Sequence, residues 1–373
     1  MSTPPPVDLD DLLVDLRRLV ECESPSADHA AVARSADLVA EIGTARLGQP
    51  PERITIDGWS HLRWRFGDRT TGRVLLLGHH DTVWPIGTLE RIPFRVEAGV
   101  LRGPGCFDML AGLVMAIHVV ASLTDRNGVT LLVTGDEELG SPSSRQLVED
   151  DARGATAALV LEASADGGAL KVARKGVSLY EVGVAGRAAH AGLEPENGVN
   201  AAVELAHQLL TVAALGDPRA GTTVTPTVAR AGTTANTVPA TAGFTVDVRA
   251  WTAEEQQRVD TALRALTPVL PEAEVSVSGG INRPPLEASS SAEPATRAHR
   301  IVERLGLPPL STAAVGGASD GNFTAGVGTP TLDGLGAVGG GAHADHEHVL
   351  VDRLLDRCAL LHALVAELLE EGP

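Results

Sequence analysis

Three short runs of nearly uninterrupted apolar residues constrain the fold of this chain more than any other feature. They are RVLLLG at 73–78, VTLLVTG at 129–135 and AALVLE at 157–162. A run without polar alternation is typical of a strand buried on both faces, as in a parallel sheet. A long apolar segment at 109–123 separates the first two runs and has the length of a helix. The order strand, helix, strand therefore predicts an α/β domain built on a mostly parallel sheet.

The pattern changes near residue 175, where apolar and polar residues begin to alternate as in half-exposed strands. The predicted order strand, helix, strand, strand, helix, strand is typical of a small α+β sandwich with one exposed sheet face. We therefore predict an inserted domain at 177–284, between two parts of a first domain at 1–176 and 285–373. The predicted elements of the insert are 177–184, 198–214, 222–232, 240–250, 252–267 and 274–280.

Charge and composition exclude several classes of partner. The net charge is −18, from 48 acidic and 30 basic residues, which argues against a nucleic-acid partner and against anionic membrane surfaces. No apolar stretch has the length of a membrane span, and the first twenty residues lack the pattern of a signal peptide. The three cysteines lie far apart, so a disulfide framework or a cysteine-based zinc site is not expected. We expect a cytoplasmic protein.

Histidine and carboxylate side chains follow each predicted buried strand. In open α/β sheets, ligands bind beyond the carboxyl ends of the strands, so these side chains should meet at one edge. Histidine with aspartate or glutamate, and without cysteine, is a ligand set for zinc, manganese or cobalt. The set exceeds the needs of one four-coordinate ion and suits two ions that share a bridging carboxylate and water. The candidates are His79, Asp81, Asp108, Glu137, Glu138, Glu162 and His343.

Each candidate also has an ordinary structural explanation. Asp108 precedes a predicted helix and could be only its N-cap. Glu137 and Glu138 could belong to a solvated turn, Glu162 could be a surface charge, and His343 could lie in a solvated loop. These explanations are independent, so their joint occurrence is much less plausible than a shared site. His80 is expected to be a neighbour of the ligand His79 rather than a ligand itself.

Two other motifs indicate different chemistry. GASDG at 317–321 fits the pattern G-x-S-x-G, with Ser319 as nucleophile and Asp333 and His343 following in hydrolase order. That fold needs more strands between nucleophile and histidine than this interval can hold. GLGAVG at 334–339 partly fits a dinucleotide-binding fingerprint, but it leads into a histidine cluster instead of a helix. We therefore favour the metal site over both.

Nine segments, in order through nearly the whole chain, match the motifs of one enzyme family. They are GHHDTVWPIGTL (78–89), GPGCFDMLAG (103–112), TGDEELGS (134–141), LVLEAS (159–164), GRAAHAGLEPENGVNA (186–201), NTVPATAGFTVDVR (236–249), GGINRPPLE (279–287), GGASDG (316–321) and GAHADHEHV (341–349). The chain thereby resembles the co-catalytic zinc metallopeptidases that include bacterial glutamate carboxypeptidase, aminoacylase, acetylornithine deacetylase and succinyl-diaminopimelate desuccinylase. The resemblance implies a zinc-peptidase-like catalytic domain with an inserted lid and dimerisation domain.

The resemblance also implies a role for each metal ligand. His79 and Glu162 would hold one zinc ion, and Glu138 and His343 would hold the other. Asp108 would bridge the two ions. The expected cofactor is a pair of Zn²⁺ ions, with Co²⁺ or Mn²⁺ as possible substitutes.

Two further carboxylates are assigned by the same resemblance. Asp81 would sit behind His79 and fix its tautomer and orientation. Glu137 would be the general base that takes a proton from a metal-bridging water and later protonates the departing amine. The family has a cis peptide bond after the bridging aspartate, which here is the bond between Asp108 and Met109.

The residues expected to bind substrate lie in and beside the predicted insert. His190 and Asn236 resemble the donors to the tetrahedral oxyanion, and the family takes that histidine from the partner subunit of a homodimer. Arg283, in NRPP, resembles the residue that binds the substrate carboxylate through a bidentate fork. NRPP and TVWPIGTL place the chain nearest the glutamate-carboxypeptidase-like branch. The chain departs from the family at Leu110–Ala111, where Lys-Gly is usual, and at Ala163, where proline is frequent.

The sequence therefore predicts a dinuclear metal-dependent hydrolase. Its substrate would be a small peptide with a C-terminal acidic residue such as glutamate, or an N-acyl amino acid, so that the enzyme is a metallo-carboxypeptidase or an N-acyl-amino-acid amidohydrolase. Two alternatives stay open at this point. The metals could serve amide chemistry in a biosynthetic pathway, or the fold could persist as a non-catalytic binding protein.

Overall fold

A computed structural model describes residues 7–68 and 73–370 of the chain. No helix within these residues combines the length and apolar character needed to cross a membrane. The helices are α1 (Leu9–Val20), α2 (His29–Leu47), α3 (Ala111–Ser122), α4 (Arg145–Ala152), α5 (Ala201–Ala213), α6 (Ala253–Arg264), α7 (Ala288–Leu305), α8 (Gly321–Gly326) and α9 (Leu354–Glu370). The strands are β1 (Glu52–Ile56), β2 (Trp59–Arg65), β3 (Val74–His79), β4 (Arg95–Glu97), β5 (Val100–Arg102), β6 (Val129–Thr134), β7 (Ala157–Val160), β8 (Leu170–Arg174), β9 (Gly176–Ala185), β10 (Ala189–His190), β11 (Thr223–Ala231), β12 (Thr237–Val238), β13 (Thr241–Ala250), β14 (Glu274–Arg283), β15 (Thr312–Val315), β16 (Thr331–Leu332), β17 (Gly339–Gly340) and β18 (His348–Leu350).

The first compact unit contains the α/β sheet that the three apolar runs predict. This unit comprises Met1–Ala173, Leu286–Val315 and Ser319–Pro373. Its sheet has the strand order β1-β2-β6-β3-β7-β16, and β6, β3, β7 and β16 run parallel to one another. The strands β1 and β2 pair antiparallel at one edge, which the sequence pattern does not predict. The expectation of a mostly parallel α/β sheet is confirmed.

Helices cover both faces of this sheet because its central strands are apolar on both sides. Successive side chains of a strand point to opposite faces. Leu76 of β3 accordingly packs into the core formed with α1, α2, α3 and α9, whereas Leu75 and Leu77 pack with Phe323 on the other face. All residues of β3, β6 and β7 are buried. This layered packing holds the carboxyl ends of the strands rigidly at one edge.

Helix α3 starts two residues later than the sequence pattern predicts, and Asp108 does not cap it. Asp108 and Met109 have non-helical backbone angles, and the residue before the helix, Leu110, makes no side-chain capping bond. The peptide bond between Asp108 and Met109 is cis, as the resemblance implies. The helix packs tightly against the chain after β7, and this close approach requires a glycine at position 112. A Cβ at Gly112 would lie 2.0 Å from the carbonyl oxygen of Leu161. The Asp108 carboxylate is therefore free of the helix and available to a site.

The second compact unit comprises Arg174–Pro285 together with Gly316–Ala318, and it encloses the predicted insert at 177–284. Its antiparallel sheet has the order β11-β13-β9-β14. Helices α5 and α6 pack on one face, over a core that includes Tyr180, Val246 and Val259. The Asn200 side chain caps α5 by accepting from the backbone N–H groups of Ala202 and Val203. The strands β9, β11, β13 and β14 and the helices α5 and α6 follow the predicted order, whereas the short strands β10 and β12 are not predicted.

Candidate metal centre

The carboxyl ends of three parallel strands deliver the candidate ligands to one edge of the sheet. His79 is the last residue of β3. Glu137 and Glu138 lie in a single 3₁₀ turn, Glu137–Leu139, that follows β6. Glu162 comes two residues after β7 ends at Val160. Because β6, β3 and β7 are adjacent and parallel, these side chains converge as the sequence predicts.

The first cluster consists of His79, Glu137 and Glu162, all of which are buried. Each offers one ligand atom, and the three atoms lie within 4.8 Å of one another. His79 Nε2 is 3.6 Å from Glu162 Oε1, which is too far for a hydrogen bond. This buried nitrogen has no hydrogen-bond partner among the described residues. A buried nitrogen left without a partner is costly, and a metal ion would satisfy it.

The second cluster consists of Asp108, Glu138 and His343, and their ligand atoms also lie within 4.8 Å of one another. His343 Nε2 is 3.1 Å from Asp108 Oδ2 and 3.2 Å from Glu138 Oε1. Ligand atoms around a tetrahedral zinc ion lie roughly 3.3 Å apart, because each bond to the ion is about 2.0–2.2 Å long. The observed separations thus fit the ligand set of such an ion.

The electrostatics of both clusters favour positive charge. Burial opposes protonation of His79, yet its contacts with Asp81 and Glu162 hold its pKa well above the ordinary value of 6.5. Hydrogen bonds to Asp108 and Glu138 raise the pKa of His343 to about 10. Both imidazoles thus lie among carboxylates whose negative charge favours a cation between them. A pair of divalent ions would supply this positive charge, and the donor set fits Zn²⁺, Co²⁺ or Mn²⁺.

Asp81 organises the first cluster, but in a different way from the one implied by the resemblance. His79 Nδ1 donates to the backbone carbonyl oxygen of Asp81 at 2.9 Å, and the Asp81 carboxylate is farther away at 3.4 Å. That carboxylate accepts instead from the backbone N–H groups of Glu137 and Glu138 and from the Ser26 hydroxyl. Burial opposes ionisation of Asp81, but His79 and Ser26 lower its pKa to about 2. Asp81 thus orients both the imidazole and the acidic turn.

His80 is a neighbour of the site, as the sequence analysis expects, and belongs to neither cluster. Its ring is fully buried, and Nε2 donates to the carbonyl oxygen of Ser60 at 3.0 Å. Burial lowers the pKa of His80 to about 4. The imidazole is therefore neutral and held in place by the backbone of β2.

Comparison with known proteins agrees with this geometry. Residues 75–367 match the model of peptidase family M20/M25/M40. The chain belongs to this family. Carboxypeptidase G2 from Pseudomonas sp. (strain RS-16) is 30% identical over 371 residues, covering 95% of this chain and 88% of that protein. The chain is accordingly a hydrolase of the M20 metallopeptidase and amidohydrolase family, whose members depend on metal ions.

Solved structures of this family share the fold over nearly the full chain. Aminopeptidase PepT from Bacillus cereus superposes with a TM-score of 0.73 at 22% identity, covering 97% of this chain and 99% of that one. The M20 family metallo-carboxypeptidase Sso-CP2 from Sulfolobus solfataricus superposes with a TM-score of 0.71 at 16% identity, covering 96% and 99%. The fold of an M20 peptidase, with its catalytic and inserted domains, is therefore confirmed.

The serine-hydrolase motif does not form a triad in this M20 peptidase. The Ser319 hydroxyl is buried and donates to Asp333 Oδ2 at 2.6 Å. His343 lies instead with Asp108 and Glu138. A nucleophilic serine needs a histidine within hydrogen-bond reach, and Ser319 has no such contact among the described residues.

Two of the three predicted substrate-binding residues lie side by side in the second unit. His190 ends β10, which pairs with β12 just after Asn236, and the Ala191 N–H donates to the Asn236 carbonyl oxygen at 2.9 Å. His190 Nδ1 accepts from the backbone N–H groups of Gly192 and Leu193, each at 3.1 Å. Since both partners are donors, the proton of a neutral His190 must sit on Nε2, which is left to donate elsewhere.

Arg283 is the last residue of β14 and is buried in the same unit. Its backbone pairs with Val177, and its carbonyl oxygen accepts from Gln256 Nε2 at 2.9 Å. These bonds hold the Arg283 backbone at the end of the sheet. The residue lies two positions before Pro285, where the first segment of this unit ends.

Two residues with evident roles at the site are missed by sequence reasoning. Ser26 donates to the Asp81 carboxylate at 2.6 Å, and Glu347 accepts from the backbone N–H of Asp108 at 3.0 Å. In the sequence, Ser26 does not follow any strand, and nothing in its local sequence marks it. The only available signal for Glu347 is its position four residues after His343.

Proposed function

We propose that this protein is a dinuclear metal-dependent exopeptidase or amidohydrolase that cleaves an amide bond next to a free carboxylate. The substrate would carry a C-terminal acidic residue such as glutamate, or would be an N-acyl amino acid. The single observation that carries the proposal is the pair of adjacent clusters, His79–Glu137–Glu162 and Asp108–Glu138–His343. The similarity to carboxypeptidase G2 over 95% of the chain supports the choice of substrate class.

The proposed ligands follow from the resemblance, and the distances within each cluster support the pairs His79–Glu162 and Glu138–His343. His79 and Glu162 would hold one ion, Glu138 and His343 the other, and Asp108 would bridge them. The ions are proposed to be Zn²⁺, with Co²⁺ or Mn²⁺ as substitutes. When bound, they supply Lewis acidity towards the amide carbonyl and make a water molecule easier to deprotonate.

Glu137 is proposed as the general base. Its backbone N–H donates to the Asp81 carboxylate at 3.3 Å, which supports a fixed position for the side chain beside His79 and Glu162. The carboxylate would take the proton from the attacking water and then deliver it to the departing amine nitrogen. In this way one group serves as base and then as acid.

His190, Asn236 and Arg283 are proposed to bind substrate. The occupied Nδ1 of His190 leaves an N–H at Nε2, which is the kind of donor that a tetrahedral oxyanion needs. Asn236 would add a second polar group from the neighbouring strand. The guanidinium of Arg283 would bind the substrate carboxylate through paired hydrogen bonds.

We also propose that the protein is a homodimer formed through the inserted domain. Two apolar residues of α5 are exposed in the isolated chain, Leu210 at 75% and Val203 at 44%. Multi-angle light scattering is expected to give twice the 38.6 kDa chain mass. Leu210→Glu should shift the protein towards the monomer, and Val14→Glu, at a 57% exposed position of α1 in the first unit, serves as its control. A monomeric wild type at working concentration would refute this proposal.

The proposed function predicts that activity depends on both the metal and the free carboxylate. Chelated protein should lose activity on a panel of N-acyl amino acids and dipeptides, and Zn²⁺ or Co²⁺ should restore it. Substrates whose terminal carboxylate is blocked as an amide should be poor, because a bidentate ion pair is lost. Full activity after removal of all metal would end the proposal. Equal turnover of blocked and free substrates would end only the assignment of substrate class.

A further inference from the structure

Glu347 is a fully buried carboxylate for which the proposed mechanism has no role. It lies four residues after His343, in the loop between β17 and β18, and its relative exposure is 0%. A buried carboxylate is costly unless hydrogen bonds replace its lost hydration. The surroundings of Glu347 should therefore reveal why it is buried.

Four N–H donors surround the two oxygens of this carboxylate. Oε2 accepts from the Trp84 indole at 2.8 Å and from the Gly105 backbone at 2.9 Å. Oε1 accepts from the backbone of Phe107 at 2.9 Å and of Asp108 at 3.0 Å. Hydrogen bonds to an ionised acceptor are about twice as strong as neutral ones. Burial raises the pKa of Glu347, and the four N–H donors oppose that effect by stabilising the ionised carboxylate.

Three of these donors belong to the turn that carries Asp108. Gly105 has a positive φ of 73°, and Asp108 has a φ of −111° and a ψ of 92°, so this turn cannot pair its amides as a helix would. The backbone groups are 239 to 242 residues away from Glu347 in the sequence. The conformation of the Asp108 turn therefore depends on one distant carboxylate.

The backbone of Glu347 belongs to the same folded segment as His343. The Ala344 N–H donates to the Gly341 carbonyl oxygen and the Glu347 N–H donates to the Ala344 carbonyl oxygen, which makes two successive turns. His343 itself has a positive φ of 60°. The path from Glu347 to His343 is therefore short and tightly folded. Glu347 thus connects the two segments whose side chains meet where His343 Nε2 lies 3.1 Å from Asp108 Oδ2.

We propose that Glu347 is a positioning residue that sets the spacing of Asp108 and His343 and thereby the metal affinity and turnover of the site. It touches neither metal nor substrate, and it acts through the backbone of one ligand and the loop of another. The inference rests on the proposed function, because it requires that the cluster of Asp108, Glu138 and His343 binds an ion. Groups that orient metal ligands in this way typically change affinity or activity by roughly 10–100-fold when they are altered.

The test uses Glu347→Gln in the full-length protein. Glutamine keeps the volume but replaces one acceptor oxygen with an NH₂ group that would face two N–H donors. Titration of the metal-free protein with Co²⁺, followed by its visible absorption, should show affinity weakened roughly 10–100-fold at one or both sites. With metal in excess, kcat should fall while KM stays near the wild-type value. Asp345→Asn is the matched control, because Asp345 is in the same loop, 71% exposed, and paired with Arg91 at the surface.

A second variant, Trp84→Phe, removes one of the four donors and leaves the three backbone bonds in place. It should weaken Co²⁺ binding less than Glu347→Gln does. If Glu347→Gln does not fold, the Co²⁺ affinity and kcat of Trp84→Phe serve as the test instead. Wild-type Co²⁺ affinity and kcat in the folded variants, with only a lower Tm, would reduce Glu347 to a structural role and overturn the inference. A wild-type protein that binds no Co²⁺ would instead overturn the proposed function, and this inference with it.

Discussion

Glu137→Gln is expected to lower kcat roughly 10²–10⁴-fold while both metal ions stay bound. Glutamine preserves the shape of the side chain but cannot accept a proton, and general acid–base groups contribute about this factor. The loss corresponds to about 3–5 kcal/mol in the activation free energy. Steady-state kinetics and metal analysis on the same sample measure the two quantities together. KM should change little, because Glu137 is proposed to act on the attacking water and not on the substrate carboxylate.

Glu162→Gln is the matched contrast to this variant. Both residues belong to the first cluster, with ligand atoms within 4.8 Å of each other, so the structure makes either one a possible ligand. Glu162→Gln should lose metal and turnover together, since a proposed ligand has been neutralised. If Glu137→Gln also loses its metal, then Glu137 is a ligand and the general base must be sought elsewhere.

Asp108→Asn is expected to abolish measurable turnover and to weaken the binding of both ions. Asp108 is the proposed bridge, and an amide lacks the charge and the second acceptor that a bridging ligand needs. In the structure its carboxylate lies 3.1 Å from His343 Nε2, and His79 and Lys171 also lower its pKa against the opposing effect of burial. Isothermal titration of the metal-free variant with Zn²⁺ should show weaker binding at two sites.

The control for this variant is Asp166→Asn, which makes the same change at an exposed position of the same unit. It should bind two ions and turn over substrate like the wild type. If Asp108→Asn loses only one ion and keeps the other at wild-type affinity, Asp108 serves a single ion. That result would remove the bridge while leaving the two clusters in place.

The elements that sequence analysis identified well are those governed by short-range patterns. Helices α1 and α2 begin after Asp8 and Asp28, whose side chains accept hydrogen bonds from backbone N–H groups of the first turn. The buried strands β3 and β6 follow directly from uninterrupted apolar runs. Such features depend on neighbours a few residues away, which the sequence displays in order.

The convergence of the ligands was also accessible to sequence reasoning, for a topological reason. Parallel strands have their carboxyl ends at one edge, so residues that follow β3, β6 and β7 must lie near one another. His79, Glu138 and Glu162 could therefore be grouped before any coordinates were known. The resemblance implies that Asp108 shares an ion with Glu138 and His343. Strand topology by itself does not give this grouping, or that of Glu137 with His79 and Glu162. It depends on how each side chain turns after its strand ends.

Sequence alone thus determined the fold class, the central buried strands of the first unit, the order of the main elements in the second unit and the set of candidate ligands, because these follow from local periodicity and strand topology. Tertiary structure decided how those ligands are held. Asp108 lies in an irregular turn and does not cap the helix that follows. The Asp81 carboxylate accepts from the backbone of the turn that carries Glu137. Glu347 accepts from the backbone of Asp108 and so connects the Asp108 turn with the His343 loop. These contacts connect residues that are tens to hundreds of positions apart. They form only when the packed core brings those segments together, and no local pattern encodes them.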